Sequence, residues 1–247
     1  MRPIHRHEVL DSTNEEAKRL ARMGALHGEA VVADRQTRGK GRRGRTWLGP
    51  DGENLFLSVI LRPDLPPTRA PQLVAVAAIA VAEALRSFGA PARIKWPNDV
   101  ELDGRKVAGI LLELAAAPDR IDYAVVGIGV NLEGDLEALG EEIDARATTL
   151  ERATGRRPGR DAVMHAVLEG LGAWCERLER EGFSPVRARY LELSSTVGAR
   201  VRMIEAEREI EGEAVGVDEE GALRVLLDSG EEVRFLSGDL VTLRKVG

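Results

Sequence analysis

Cysteine is almost missing from this chain of 247 residues. The single thiol, Cys175, has no partner for an internal disulfide, and its solitude excludes every multi-cysteine zinc or iron–sulfur site. It lies in a stretch with helical spacing and reads as a half-buried packing residue. Histidine is scarce too. His5 and His7 alternate on a strand-like stretch, but no carboxylate or cysteine stands at a spacing that would complete a metal site. Long apolar runs are absent: the longest, residues 73–85, is alanine-rich and falls short of the roughly 20 residues a bilayer span requires. It reads as a buried helix. The N-terminal stretch MRPIHRHEVLDSTNEE has no apolar core for a signal peptide, so a cytoplasmic location without membrane partners is expected. Positive charge is in deficit as well. With 35 Lys and Arg against 41 Asp and Glu the net charge is −6, which removes any general attraction to nucleic acid or anionic lipid.

What remains is an ordinary globular composition, 43% hydrophobic and 31% charged, enough for one large domain or a domain with an appendage. Residues 4–10, 29–33, 54–61, 92–96, 107–114 and 123–131 read as strands. Helical spacing covers a segment from about Asn14 to Gly24, another from Pro71 to near Gly89, and residues 162–181 and 186–193. The dipeptide Asp103-Gly104 predicts a tight hairpin turn between the strands at 92–96 and 107–114. After residue 195 the pattern changes to about five short alternating strands, which predicts a small β-barrel-like module and a division into residues 1–195 and 196–247.

Positive charge is concentrated in one place. Six of the eleven residues 35–45 are Arg or Lys, and Gly39, Gly41 and Gly44 within them satisfy G-x-G-x-x-G. That spacing is a dinucleotide fingerprint only where a strand ends and a helix begins. Here the glycines are followed by RTWLGPDG and then a strand, so no helix can start; a phosphate-cradling Gly-Lys-Ser/Thr is missing as well. A solvated, flexible surface loop is the plain alternative. The other is a mobile segment that wraps a multiply charged ligand with guanidinium forks. Nonspecific RNA binding would want stacking platforms, and Trp47 is the lone aromatic of the segment.

Three further places carry chemistry. Ser12 and Glu15 satisfy a capping box, which presents small polar side chains at a helix N-terminus. Asn98 and Asp99 end the dense segment KWPND, in which Pro97 biases Trp96 to extended geometry. Lys106 follows the Asp-Gly turn, and strict alternation would put it on one face with Ala108, Ile110 and Leu112. The glycines of GIGVN, residues 127–131, suit a strand approached closely by other atoms.

Taken together, DSTN, RQTRGKGRRGRTW, NLFLS, KWPND, GRKVAGILLE and VGIGVNL, in that order, closely resemble the biotin–protein ligases. The resemblance implies an α+β fold of class II synthetase-like kind: a central mixed β-sheet flanked by helices, with a C-terminal SH3-like barrel. It implies that biotin and MgATP form biotinyl-5′-AMP, whose biotinyl group passes to a lysine of the biotin carboxyl carrier protein of acetyl-CoA carboxylase. Ser12, Thr13, Asn14, Gln36 and Gly109 would then face biotin. Lys40, Gly41 and Arg42 would close over biotin and adenylate, with Lys106 beside the carboxylate and α-phosphate. Arg43, Arg45, Trp47, Asn98, Asp99 and Asn131 would lie towards the nucleotide; no metal ligand is implied. Lys40 departs from the GRGRRGR form of this loop, keeping the charge and losing the planar fork, so a looser grip on the intermediate is expected. Only eleven residues precede Ser12, so no DNA-binding arm and no DNA partner are expected, while a homodimer is compatible with the pattern. A lipoate- or octanoyl-protein ligase of the same fold is the alternative enzyme.

Overall fold

The computed structural model describes residues 2–49, 54–205 and 208–245; the proline and glycine of residues 50–53 lie outside the described residues. In chain order the elements are β1 (Ile4–Leu10), α1 (Thr13–Arg22), β2 (Ala30–Gln36), β3 (Asn54–Leu61), α2 (Ala70–Ser87), β4 (Arg93–Lys95), β5 (Asp99–Leu102), β6 (Arg105–Ala116) and β7 (Ile121–Asn131). They continue with α3 (Glu141–Arg146), α4 (Leu150–Thr154), α5 (Arg160–Glu181), α6 (Phe183–Leu193), β8 (Ala199–Glu205), β9 (Arg208–Val217), β10 (Leu223–Leu226), β11 (Glu232–Phe235) and β12 (Asp239–Lys245).

Two sheets result. The first has seven strands in the order β1-β2-β3-β7-β6-β5-β4, and only β1 and β2 in it run parallel. The second has five antiparallel strands in the order β11-β10-β9-β8-β12. This is the mixed α+β architecture expected from the motifs.

Strand β3, an interior strand, is buried along its whole length because both sheet faces are covered. On one face lie α2 and α5. Alanines keep α2 thin, and α5 packs on it with Gly170 facing Ala80. The stretch 67–87 is longer than the apolar run suggested and satisfies a bilayer span by length and composition, but 72% of its apolar window is buried within the fold. On the opposite face α1 packs Ala17 and Ala21 against Val31, Ile60, Tyr123 and Val125. Cys175 is buried on α5, and burial pushes its thiol up to about 12.

The hairpin turn at Asp103-Gly104 forms as expected, with φ of 49° and 77°, but its first strand is β5 and not residues 92–96. A four-residue strand with two acidic positions carries too little apolar signal to be seen in the sequence. The turn therefore sits between β5 and β6, and β4 pairs with β5 at the sheet edge. Short helices α3 and α4 fill the connection after β7, which the sequence left unassigned.

The five-stranded sheet is fastened to the first around Trp96. The Trp96 amide donates to Thr196 Oγ1 at 3.0 Å, the Ser195 amide to the Ile94 carbonyl at 2.8 Å, and Gln72 Nε2 to the Glu219 carbonyl at 2.7 Å.

Candidate active site

Three glycines clear a trough in the α1 face of the large sheet. Gly109 of β6 pairs with Gly129 of β7, and Leu111 with Gly127, so the absent side chains are adjacent. What fills the space explains why glycine is needed. A Cβ at Gly129 would lie 2.5 Å from Trp47 Cε2, and one at Gly109 would lie 2.6 Å from Trp47 Cζ3. At Gly127 it would strike the side-chain oxygen of Asn14. The expectation of close approach at GIGVN holds, and the approaching groups are the indole of Trp47 and the amide of Asn14.

At the α1 end, side chains orient one another. Ser58 Oγ on β3 sits 2.6 Å from Asn14 Oδ1 and 2.8 Å from Thr13 Oγ1. Asn14 Nδ2 donates to Glu113 Oε2 at 2.8 Å, and the Thr13 amide and hydroxyl both donate to Gln36 Oε1, at 2.8 and 3.1 Å. Ser12, Thr13 and Asn14 are buried although polar, which is the signature of a built site rather than a solvated helix end. The capping box is corrected here. Ser12 occupies the N-cap position but its side chain caps nothing, and Glu15 turns to Lys18 and Lys40. Those two ammonium groups hold the Glu15 carboxyl down at about 2. Lys18 also reaches Glu113 at 2.7 Å; burial works against its charge, but the Glu113 and Glu15 partners outweigh it and raise the pKa.

The basic segment folds back on itself as a short hairpin. Lys40 and Thr46 form a bridge, the Gly41 amide donates to the Arg45 carbonyl at 2.7 Å, and the Trp47 amide to the Gly39 carbonyl at 3.0 Å. It is thus neither a cofactor loop nor an unstructured surface run. Arg42 points inward and donates to Asn98 Oδ1 at 2.7 Å. Burial, then the neighbouring charge of Arg43, lowers its pKa.

Lys106 enters from β6. Between β5 and β6 the register slips: Glu101 pairs with Lys106 while Val100 pairs with Ala108, so Val107 is an extra residue in the ladder. The bulge corrects the expected alternation, and Lys106 shares its face with Gly109, whose missing Cβ would be 3.0 Å from Lys106 Nζ. The ammonium makes an ion pair with Asp99 Oδ1 at 2.7 Å and stands 5.2 Å from the centre of a Trp47 ring.

One cleft is lined by Ser12, Thr13, Asn14, Gln36, Lys40, Gly41, Arg42, Trp47, Asn98, Lys106 and Gly109. Four sequence candidates lie outside its lining. Arg43 and Arg45 turn outward to Asp239 of β12, at 3.4 and 2.8 Å. Asp99 stands behind Lys106. Asn131 is buried at the end of β7 and donates to the Thr148 carbonyl at 3.3 Å; Thr148 in turn donates its amide to the Lys106 carbonyl at 2.9 Å. Sequence reasoning gave no site role to Ser58, Glu113, Phe56 and Leu111, although they lie in the NLFLS and GRKVAGILLE segments, because taken singly each reads as an ordinary strand residue.

The sheet, the glycine trough and the cationic hairpin define a class of ligase. Residues 7–131 match the biotin/lipoate A/B protein ligase family, and residues 196–241 match the biotin protein ligase C-terminal domain. A biotin–[acetyl-CoA-carboxylase] ligase of Paracoccus denitrificans is 37% identical over 228 residues, covering 90% of this chain and 94% of that protein. The bifunctional ligase/repressor BirA of Bacillus subtilis is 35% identical over 92% of this chain and 70% of its own length. Among solved structures, the biotin protein ligase of Aquifex aeolicus in complex with biotin and ATP superposes with a TM-score of 0.83 at 32% identity, over 99% of this chain and 100% of that one. The chain belongs to the biotin protein ligases, ATP-dependent enzymes that join biotin to protein.

Proposed function

We propose that the cleft activates biotin as biotinyl-5′-AMP, releasing pyrophosphate, and then delivers the biotinyl group to a lysine of a biotin carboxyl carrier domain, with the reaction located in the cytoplasm. The observation that carries this reading is the convergence of Lys106, Arg42 and Trp47 over a trough floored by glycine. In the first half-reaction a carboxylate oxygen attacks the α-phosphorus and pyrophosphate leaves. Two anions must meet, so fixed cations are needed where charge accumulates. Lys106 is suited to bridge them because Asp99 holds its ammonium and the bulge aims it along the trough. Arg42 extends the positive wall from the hairpin side, steadied by Asn98.

The polar end of the trough is matched to a ring urea, which offers one acceptor and two donors. Ser12, Thr13, Asn14 and Gln36 supply hydroxyl and amide partners there, oriented by Ser58 and Glu113. We place the nucleotide towards Trp47 and Asn131. Both Trp47 Nε1 and Asn131 Oδ1 are buried without a hydrogen-bond partner among the described residues, which favours a polar ligand near them. In the second half-reaction the acceptor amine attacks the acyl carbon and AMP departs. The hairpin, seated by its indole on the sheet, would exclude water from the mixed anhydride between the two steps.

Among the described residues no cluster of three His, Cys, Asp or Glu side chains exists to hold a metal. Asp99 is engaged by Lys106, and Glu113 by Asn14 and Lys18. Mg²⁺ therefore belongs to the proposal as part of the substrate MgATP, held by its phosphates, and no step is assigned to it. In this scheme residues 1–195 carry the chemistry and residues 196–247 form the C-terminal unit.

The test is biotin-dependent exchange of labelled pyrophosphate into ATP, with lipoate as the competing acid. Exchange with biotin and none with lipoate is expected, followed by mass addition of one biotinyl group to a carrier domain. Preference for lipoate would overturn the assignment.

A further inference from the structure

Arg42 and Arg43 are neighbours that point in opposite directions, and the backbone between them explains how. Arg43 has φ 55° and ψ 37°, in the left-handed region that a side-chain-bearing residue seldom occupies. The reversal sends Arg42 in to Asn98 and Arg43 out to Asp239. Something must hold the hairpin in this conformation, since an ordinary β or α conformation at Arg43 would swing one of the two guanidiniums out of place.

The anchor is on the other sheet. Asp239 Oδ2 lies 2.8 Å from Arg45 Nη2 and 3.4 Å from Arg43 Nη1, so one carboxylate oxygen faces both arginines that flank the turn. Asp239 is placed by the second sheet. It pairs with Ile204 across β12 and β8, and the preceding Gly238 is packed where a Cβ would be 2.7 Å from Met203 Cε and 3.9 Å from Trp96 Cζ3. Trp96 is the residue that joins the two sheets through Thr196 and belongs to the same KWPND segment as Asn98. The two ends of the contact, Asn98 for Arg42 and Asp239 for Arg43 and Arg45, are thus set by one packed junction.

We propose that Asp239 is a positioning residue: through Arg43 and Arg45 it holds the basic hairpin in the conformation that turns Arg42 into the cleft, so that the C-terminal sheet governs how long the acyl-adenylate is retained. The inference rests on the acyl-adenylate chemistry proposed above. Its size is bounded by exposure. Half-exposed ion pairs are individually weak and screened by salt, so Asp239 biases the hairpin by a modest factor and does not switch it.

The experiment has two readouts. In ligand-free protein, tryptic cleavage after Arg43 or Arg45 reports how firmly the hairpin is held, and needs no activity. Asp239→Asn should speed that cleavage about three- to tenfold at low salt, with the difference shrinking as salt rises. With biotin and MgATP and no acceptor, the same variant should release biotinyl-AMP into solution faster by a similar factor, and Asp239→Glu should restore both. Arg45→Gln, which breaks the contact from the hairpin side and removes its own tryptic site, should reproduce the faster release and the faster cleavage after Arg43, and the double variant should show no more than either alone. Unchanged cleavage and unchanged release in Asp239→Asn would overturn the proposal. If the parent protein shows no biotin-dependent pyrophosphate exchange, the acyl-adenylate reading has failed, and the cleavage rates still decide whether Asp239 holds the hairpin.

Discussion

Replacing Gly129 by Ala separates the closing of the hairpin from the stability of the fold. The residue lies near the end of β7, outside the left-handed region, where alanine meets no backbone penalty. Its new methyl group would lie 2.5, 2.7 and 3.0 Å from Trp47 Cε2, Cζ2 and Cδ2, the three nearest atoms. Carbon contacts settle at about 3.5 Å or more, so the indole must lift by roughly 1 Å. Overpacking of this kind costs ~1–3 kcal/mol when the surroundings cannot move. Here they can give, because Trp47 ends a hairpin whose side-chain ties to Glu15, Asn98 and Asp239 are few and half-exposed. The loss in folding free energy is therefore capped by whatever the seated hairpin contributes. It is opposed by the ~0.4–1 kcal/mol gained when alanine narrows the unfolded ensemble. The melting temperature should move by less than about 4 °C. The closed state, by contrast, bears the whole cost, so its population relative to the open state should fall roughly five- to 150-fold. Trapping biotinyl-AMP released in the absence of acceptor, alongside iodide quenching of tryptophan fluorescence, measures this directly. Release and quenching at parental levels would refute the idea that the glycine trough seats the indole.

Lys106→Gln should slow biotin-dependent pyrophosphate exchange by about 10²–10³-fold, the range for loss of one preorganised charge-stabilising group; near-normal exchange would reject its role. Arg42→Ala should speed loss of the adenylate, seen as biotinyl-AMP released into solution, and unchanged retention would argue against closure by the hairpin. Glu15→Gln tests the anchor on the α1 side through pH. Lys18 and Lys40 hold the Glu15 carboxyl at about 2 against an ordinary 4.5, so its contribution is present above about pH 4.5 and is lost as pH falls towards 2. After allowance for partial exposure the variant should be less stable than the parent by no more than about 1 kcal/mol at pH 7. The gap should close between pH 4.5 and 2, and a constant gap through acid unfolding would contradict the pairing.

The parts of this architecture that were readable in sequence are those set by local pattern. Alanine-rich α2, the buried run of β3, the Asp103-Gly104 turn and the glycines of GIGVN each carry their own signal within a few residues. The C-terminal strands were readable for the same reason, since alternation and short turns recur there every ten residues or so. The parts that were not readable depend on register or on distance. Strict alternation misassigned the face of Lys106 because one extra residue, Val107, reverses the parity of the strand. The capping-box pattern at Ser12 and Glu15 is present as a pattern, but Ser12 lines the cleft without capping and Glu15 is drawn to two ammonium groups. Ser58 looks like any small residue of a buried strand until Thr13 and Asn14 are placed beside it. Arg43 and Arg45 are indistinguishable from Arg42 in a run of basic residues, and only the left-handed turn at Arg43 assigns them to Asp239.

Lys40 shows what the missing distance information changes. Judged within its loop, a lysine in place of arginine is a loss, because a point charge replaces a fork that can grip phosphate or carboxylate from two sides. In the fold its ammonium meets Glu15, on the first turn of α1, while lining the same cleft as Arg42. Glu15 already accepts from Lys18, so one carboxylate serves two cations, a geometry in which a compact ammonium fits and a second planar group would crowd. Lys18 continues to Glu113, and Glu113 to Asn14, which fills the space beneath Gly127. The hairpin is thereby connected through alternating charges to the polar end of the trough, the end proposed above for biotin. A ligand that draws Lys40 from Glu15 would leave that carboxylate to Lys18 alone. Binding at the trough and seating of the hairpin then share one set of charges, and the substitution that looked like a weaker grip on the intermediate becomes a link between the two.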